Sequence, residues 1–226
     1  MKKTILSFTS VFLFIGIGLS AASCTKETVV KENDTNGVFD TTLLISQINA
    51  LPKETLSIAE KAGLTYLREE EKLARDVYFK LYEKYGVRIF NNIYNSEVTH
   101  TNAVYQLLTK YELQDPFGNN GVGVFTDQNL QNLYNTLIAK GNQSLLNAYQ
   151  VGATIEDVDL FDIKEKMAVA DNQDIRLVYE MLAKGSRNHM RAFYKNLVTI
   201  GGSYTPQYIT QAEFDAIINS PTETGF

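Results

Sequence analysis

The sequence predicts an all-α fold: a four-helix bundle with one extra short helix between the second and third long helices and another at the C-terminus. Three observations carry this. Four long segments repeat their apolar residues every three or four positions. Cap and stop residues bracket those segments where helices would begin and end. No stretch alternates apolar and polar residues as a half-buried strand would. Four long helices joined by short and medium loops pack as a bundle.

The first long helix is expected from Ser57 to Lys84, with Tyr66, Leu67, Ala74, Val77 and Leu81 on one face and Gly86 as a left-handed cap. The second is expected from Phe90 to Tyr111, ahead of Asp115-Pro116. A glycine-rich loop, FGNNGVGVF, follows. The segment TDQNLQNLYNTLIAKG then reads as the extra short helix, with Thr126 as N-cap and Gly141 past its end. The third long helix covers Ser144 to Ala170. The fourth covers Asp174 to Ile200 and stops at Gly201-Gly202. A last short helix, capped by Thr210, closes the domain.

The N-terminus reads differently. MKK is a basic start, and ILSFTSVFLFIGIGL is an apolar run too short for a comfortable membrane span. Small residues then lead to Cys24, as in a bacterial lipoprotein signal, although Ala21 stands where leucine is commonest. Residues 1–23 are expected to be a signal peptide, 24–50 a lipidated N-terminus and tether, and 51–222 the bundle domain. Within the tether, FDTTLLISQINALP fits either a short helix or a docked arm. This layout predicts an exported envelope lipoprotein, on the outer membrane or facing the periplasm or cell surface, that meets the membrane only through its lipid anchor; the competing reading is plain signal-peptidase cleavage that leaves Cys24 a free thiol. Cys24 is the single cysteine, so no disulfide or cysteine-based zinc site forms within one chain. The 21 basic and 26 acidic residues give a net charge of −5, and no Lys/Arg stripe appears, so nucleic acid is not an expected partner. A homodimer is left open.

The buried faces hold the chemistry. On the second helix, Glu97 and His100 lie in the stripe of Ile93, Val104 and Leu107. His189 is central on the stripe of Val178, Leu182, Gly185 and Phe193. These are the only two histidines. On the third helix Glu156 is central among Tyr149, Gly152, Ala153, Leu160, Ile163 and Met167, with Asp159 at the edge. On the first, Glu70 lies nearest the stripe and Glu71 is lateral, on the side of Tyr78. A carboxylate is seldom buried without a partner. A metal ion would serve all four helices at once, and carboxylates with imidazole suit iron or manganese. The competing reading takes these as hydrogen-bonded core histidines and glutamates paired with Arg68, Arg75, Arg176 and Arg187.

The segments YLREEEKLARDVYFKLYEKYGVRIFNNIYNSEVTHTNAVYQLLTKYELQDP, VGATIEDVDL, DIRLVYEMLAKGSRNHMRAFYKNL and YTPQYITQAEFDAII together resemble a bacterial and archaeal domain family of unknown function within the ferritin-like superfamily. The resemblance spans about residues 55–218. It implies a ferritin-like bundle that holds two metals through Glu, Glu-x-x-His, Glu and Glu-x-x-His. On this chain that suggests Glu70, Glu97 with His100, Glu156, and His189 as metal ligands. Ser186 departs from the pattern, standing where the last glutamate belongs; Asp159 could compensate. Glu71, Asp159, Ser186 and Tyr78 are therefore auxiliary candidates, with Tyr149 as a further nearby partner. Three functions follow as expectations: a di-iron oxidoreductase acting on dioxygen, peroxide or Fe(II); an iron- or manganese-binding protein without turnover; and an interaction domain with a degenerate site.

Overall fold

A computed structural model of the chain describes residues 41–224; the expected signal peptide, Cys24 and the tether as far as residue 40 lie outside the described residues. Among the described residues there are seven helices and no strand: α1 (Thr41–Ala50), α2 (Ile58–Tyr85), α3 (Arg88–Lys110), α4 (Gln128–Gly141), α5 (Leu145–Val169), α6 (Gln173–Thr199) and α7 (Gln211–Ile218). No helix among them is long and apolar enough to cross a membrane.

Local chemistry sets the helix ends. Ser57 and Glu60 form a reciprocal capping box at the start of α2. The second oxygen of Glu60 accepts from the Asp171 and Asn172 amides, 3.1 Å each, so the same carboxylate ties α2 to the turn between α5 and α6. Gly86 ends α2 at φ 65°, a conformation that strains residues carrying a Cβ. Thr210 and Glu213 repeat the capping box at α7. Two expectations at α4 are corrected. Asp127, not Thr126, is the N-cap, because its carboxylate accepts from the Asn129 and Leu130 amides. The Thr126 amide is engaged by Glu69 instead. Gly141 is the last residue of α4 rather than the one past its end, and Asn142 is the C-cap.

The segment FDTTLLISQINALP yields the short helix α1. Its Leu44 and Ile48 are buried, and it packs on α3 and α6. Lys110 holds its C-terminal end by donating to the Ile48 and Leu51 carbonyls at 2.7 and 3.0 Å.

The long helices α2, α3, α6 and α5 close a ring of neighbours: α2 on α3, α3 on α6, α6 on α5, α5 on α2. Two apolar clusters fill it, one around Leu81, Phe90, Tyr149 and Phe193, the other around Leu64, Leu107, Ile163 and Leu182. On α2 the clusters meet between Leu67 and Leu73, on α3 between Ile93 and Ala103, on α6 between Leu182 and Met190. The charged and imidazole residues occupy those gaps, so a polar layer divides the core. The order in which each helix passes the clusters gives its direction: α3 and α5 run the same way, and α4 with its flanking loops makes the long return between them.

The helix α5 is unusual. Every residue from Val151 to Leu160 is buried. The helices α2, α4 and α6 cover it, and the segment 204–209 is fixed to the remaining side by Asp157. That carboxylate accepts from the Tyr204 hydroxyl at 2.7 Å and from the Gln207 and Ile209 amides at 2.5 and 2.8 Å.

Candidate metal centre

In the run Arg-Glu-Glu-Glu-Lys, residues 68–72, all five side chains are buried, each for its own reason. Arg68 forks onto Asp115 at 3.0 and 2.9 Å and donates to the Thr101 carbonyl. Glu69 accepts from the Thr126 and Asp127 amides at 2.6 and 2.8 Å. Lys72 meets Asp76 at 2.6 Å and the Gly121 and Val124 carbonyls at 2.8 and 3.1 Å. These three lash the loop between α3 and α4 over α2. Glu70 and Glu71 point the other way, into the polar layer.

There the Glu97 carboxylate stands between the two imidazoles. Its Oε2 is 2.9 Å from His100 Nδ1 and its Oε1 is 2.9 Å from His189 Nδ1. Ligand atoms of Glu97, His100 and His189 lie within 4.8 Å of one another, close enough to hold one metal ion together. Glu71 Oε2 approaches His100 Nδ1 at 3.2 Å, and Glu156 Oε2 approaches His189 Nδ1 at 3.4 Å. The rings stack with centroids 5.3 Å apart. Both Nε2 atoms turn to one hydroxyl, Ser96 Oγ, at 2.9 Å from His189 and 3.4 Å from His100. A serine oxygen has two acceptor sites. With Nε2–H of both rings donating to it, each Nδ1 is the atom left facing the carboxylates; in the metal-free site its proton is held by them, and a metal would take the place of that proton. Ser96 was not among the expected residues. It immediately precedes Glu97, on the face turned to α6, and its one signal is a small hydroxyl beside two inward histidines.

Gly185 on α6 makes room for this. A Cβ there would stand on the His100 ring at Cε1 and Nε2. On α5, Glu156 accepts a short hydrogen bond from Tyr78, whose hydroxyl also reaches toward the Gly152 carbonyl.

Of the expected residues, Glu97, His100, Glu156 and His189 come together, each buried to the limit. Glu71 joins them directly, closer to an imidazole than its lateral position implied. Glu70 is buried but turns toward α5, where it faces Asp162. Asp159, assigned to an edge, is buried beside Glu70 and Glu156. Ser186 is no stand-in for a carboxylate: its hydroxyl donates to the Leu182 carbonyl of its own helix at 3.2 Å. Tyr149 stacks on Phe90 at 5.6 Å within the apolar cluster.

The electrostatics are unbalanced. Both oxygens of Glu70, Oε1 of Glu71 and Oδ2 of Asp159 are buried without a hydrogen-bond donor among the described residues. The arginines that would make these structural ion pairs are engaged elsewhere: Arg68 with Asp115, Arg75 with Asp76, Arg176 with the Met167 and Ala170 carbonyls, Arg187 with Glu223. Burial therefore governs. It pushes Glu71 up to about 7 against the pull of His100, and it raises Glu70, Asp159 and Glu156. Burial opposes charge on His189 as well, but Glu156 and Glu97 override it and push the ring up to about 9. Only Glu97 is lowered, because the two imidazoles outweigh its burial.

Residues 60–221 match the family described as Uncharacterized protein domain (DUF2202). The chain is 50% identical over 182 residues to Uncharacterized protein MJ0754 of Methanocaldococcus jannaschii, covering 80% of this chain and 98% of that protein. The crystal structure of hypothetical protein MJ0754 from Methanococcus jannaschii DSM 2661 superposes with a TM-score of 0.75 at 52% identity, over 76% of this chain and 99% of that one. With the family model spanning most of the helical domain and a relative this similar over nearly its whole length, the chain belongs to the DUF2202 family.

Proposed function

We propose that this is a ferritin-like protein that binds iron or manganese in the polar layer between α2, α3, α5 and α6. The observation that carries this is the set of buried carboxylate oxygens with no donor, beside two imidazoles that share one carboxylate. The long return between α3 and α5 also fits a ferritin-like connection. Glu71, Glu97 and His100 would hold a cation on one side of the layer, and Glu97, Glu156 and His189 on the other. Glu70 and Asp159 add charge between α2 and α5.

Charge counting favours two cations. Glu70, Glu71, Glu97, Glu156 and Asp159 carry five negative charges when ionised. Two divalent ions leave one negative charge; a single ion leaves three, a large excess in a dry site. Iron held there would supply reversible ferrous–ferric electron transfer toward dioxygen, peroxide or external Fe(II). The chain's own groups exclude water, fix both imidazoles through Ser96, and hold Glu156 through Tyr78. Turnover is the finer question. Ser186, bonded to its own helix, leaves α6 without the carboxylate that a symmetric pair would use, and this favours a metal-holding protein without turnover as the second reading.

Metal analysis of the purified full chain tests the proposal. Iron or manganese near two per chain in wild type, falling below one in His100→Ala and His189→Ala, is the expected result. Wild-type protein with no bound metal after supply of either ion would refute it. We further propose export and lipid anchoring at Cys24. Intact mass of the membrane fraction checks this: an uncleaved chain, or an unmodified cysteine, rules it out.

A further inference from the structure

One seam, between α2 and α5, is acidic from the buried layer to the rim. On α5, Glu156, Asp159 and Asp162 follow at three-residue spacing, and Lys166 comes one turn later. The first two are buried. The Asp162 and Lys166 side chains are 23% and 17% exposed and meet at 3.1 Å. Opposite them α2 presents Glu70, half-buried Tyr66 and Gly63. The Lys166 ammonium lies 4.2 Å from the centroid of the Tyr66 ring. Its stem runs beside Gly63, where an added Cβ would be 3.6 Å from Lys166 Cγ.

Glu70 is the joint in this seam. It is buried, neither oxygen meets a donor among the described residues, and the group it faces is another acceptor, the Asp162 carboxylate. A dry carboxylate beside a second one requires a proton or a cation near it, and the Lys166 ammonium, paired with Asp162, is the positive charge that stands there in the absence of metal. A half-covered Lys166–Asp162 pair contributes little as a surface bridge, and its ammonium offsets only part of what burial and Asp162 cost the Glu70 carboxylate.

We propose that this seam is the inlet for divalent cations: Asp162 receives the ion at the rim, displacing the Lys166 ammonium, and Glu70 and Asp159 carry it to the layer of Glu97 and the two histidines. This rests on the metal reading above. A hydrated cation loses water reluctantly, and a ladder of carboxylate oxygens replaces that water in steps rather than at once. Lys166, resting on the Tyr66 ring, closes the ladder when no cation is passing.

Co(II) added to the metal-free full chain in a stopped-flow spectrometer tests this, with d–d absorption reporting arrival at the centre. Asp162→Asn should slow loading and release together by about tenfold, the low end of what a focusing charge contributes. The equilibrium Kd should be unchanged, because both rates fall alike. Lys166→Met keeps the stem over Tyr66 but removes the charge, and should speed both rates several-fold. Wild-type rates in both variants would overturn the inlet. So would a weaker Kd with an unchanged loading rate, which would make Asp162 a ligand. If Asp162→Asn fails to fold, Lys166→Met decides alone. A wild-type chain that takes up no Co(II) under any condition defeats the metal reading itself, and does so before any variant is measured.

Discussion

Raising the pH of the metal-free protein from 5 to 9 should destabilise it, and bound metal should reverse that slope. The two best-defined groups act in sequence. Glu71 titrates near 7 in the fold against an ordinary 4.5, so the native state keeps a proton that the unfolded chain has lost. The stability from that proton is fully present below about 4.5 and is lost as pH rises through 7. His189 titrates near 9 against an ordinary 6.5. Its contribution is fully present below 6.5 and is lost as pH rises through 9. Each gap of about 2.5 corresponds to about 3 kcal/mol. The two groups sit in one network through Glu97, so their losses do not add in full, and a total fall of about 3–5 kcal/mol is expected. Glu97 acts oppositely, but its window lies below pH 4.5. Metal ligands must be deprotonated, so affinity rises with pH and the bound protein gains stability over the same range. Urea unfolding at pH 5, 7 and 9, with chelator and with Mn(II), measures both slopes. His189→Gln should flatten the metal-free curve between pH 7 and 9. A metal-free stability that is level or rising from pH 5 to 9, or parallel curves with and without Mn(II), would refute the electrostatic account of the site.

Three further outcomes follow from single contacts. Gly185→Ala puts a methyl on the His100 ring and should cost about 1–3 kcal/mol in urea unfolding, with weaker Mn(II) binding by titration; unchanged stability would mean that α6 yields freely there. Ser96→Ala removes the acceptor shared by both Nε2 atoms and should weaken metal binding by about 10–100-fold, with ring ¹⁵N shifts reporting a mixture of tautomers. Asp157→Asn loosens the segment ahead of α7 at a cost of about 1–3 kcal/mol; amide exchange should speed up at Gln207, Tyr208 and Ile209 while the centre keeps its metal.

The long helices are legible in the sequence because their ends are written in short-range chemistry. Ser57, Gly86 and Ser144 sit where a long helix needs a cap, Thr210 does the same for the short α7, and the 3.6-residue period does the rest. At α4 the same rules are ambiguous, since Thr126 and Asp127 are both competent caps and tertiary contact with Glu69 decides between them. The four residues Glu97, His100, Glu156 and His189 are legible because each interrupts an apolar stripe. Glu71 is less so, because a helical wheel places Cβ and not the end of a long side chain. Asp157 escapes, and Asp159 is placed at an edge instead of in the interior, for another reason. A wheel assumes one dry face, and α5 is covered on every side at that level. Glu69 and Lys72 escape similarly, since what buries them is a loop drawn from more than forty positions away.

That all-round cover of α5 has an evolutionary meaning. A helix with a wet side can drift there, exchanging one polar residue for another at no cost, and most of its divergence accumulates on that side. Between Val151 and Leu160 there is no such side. A change at any of these positions meets a packed neighbour, so a tolerable replacement usually needs a partner change on α2, α4, α6 or the segment 204–209. Substitutions here should arrive in linked pairs, and this stretch should set the slowest clock in the chain.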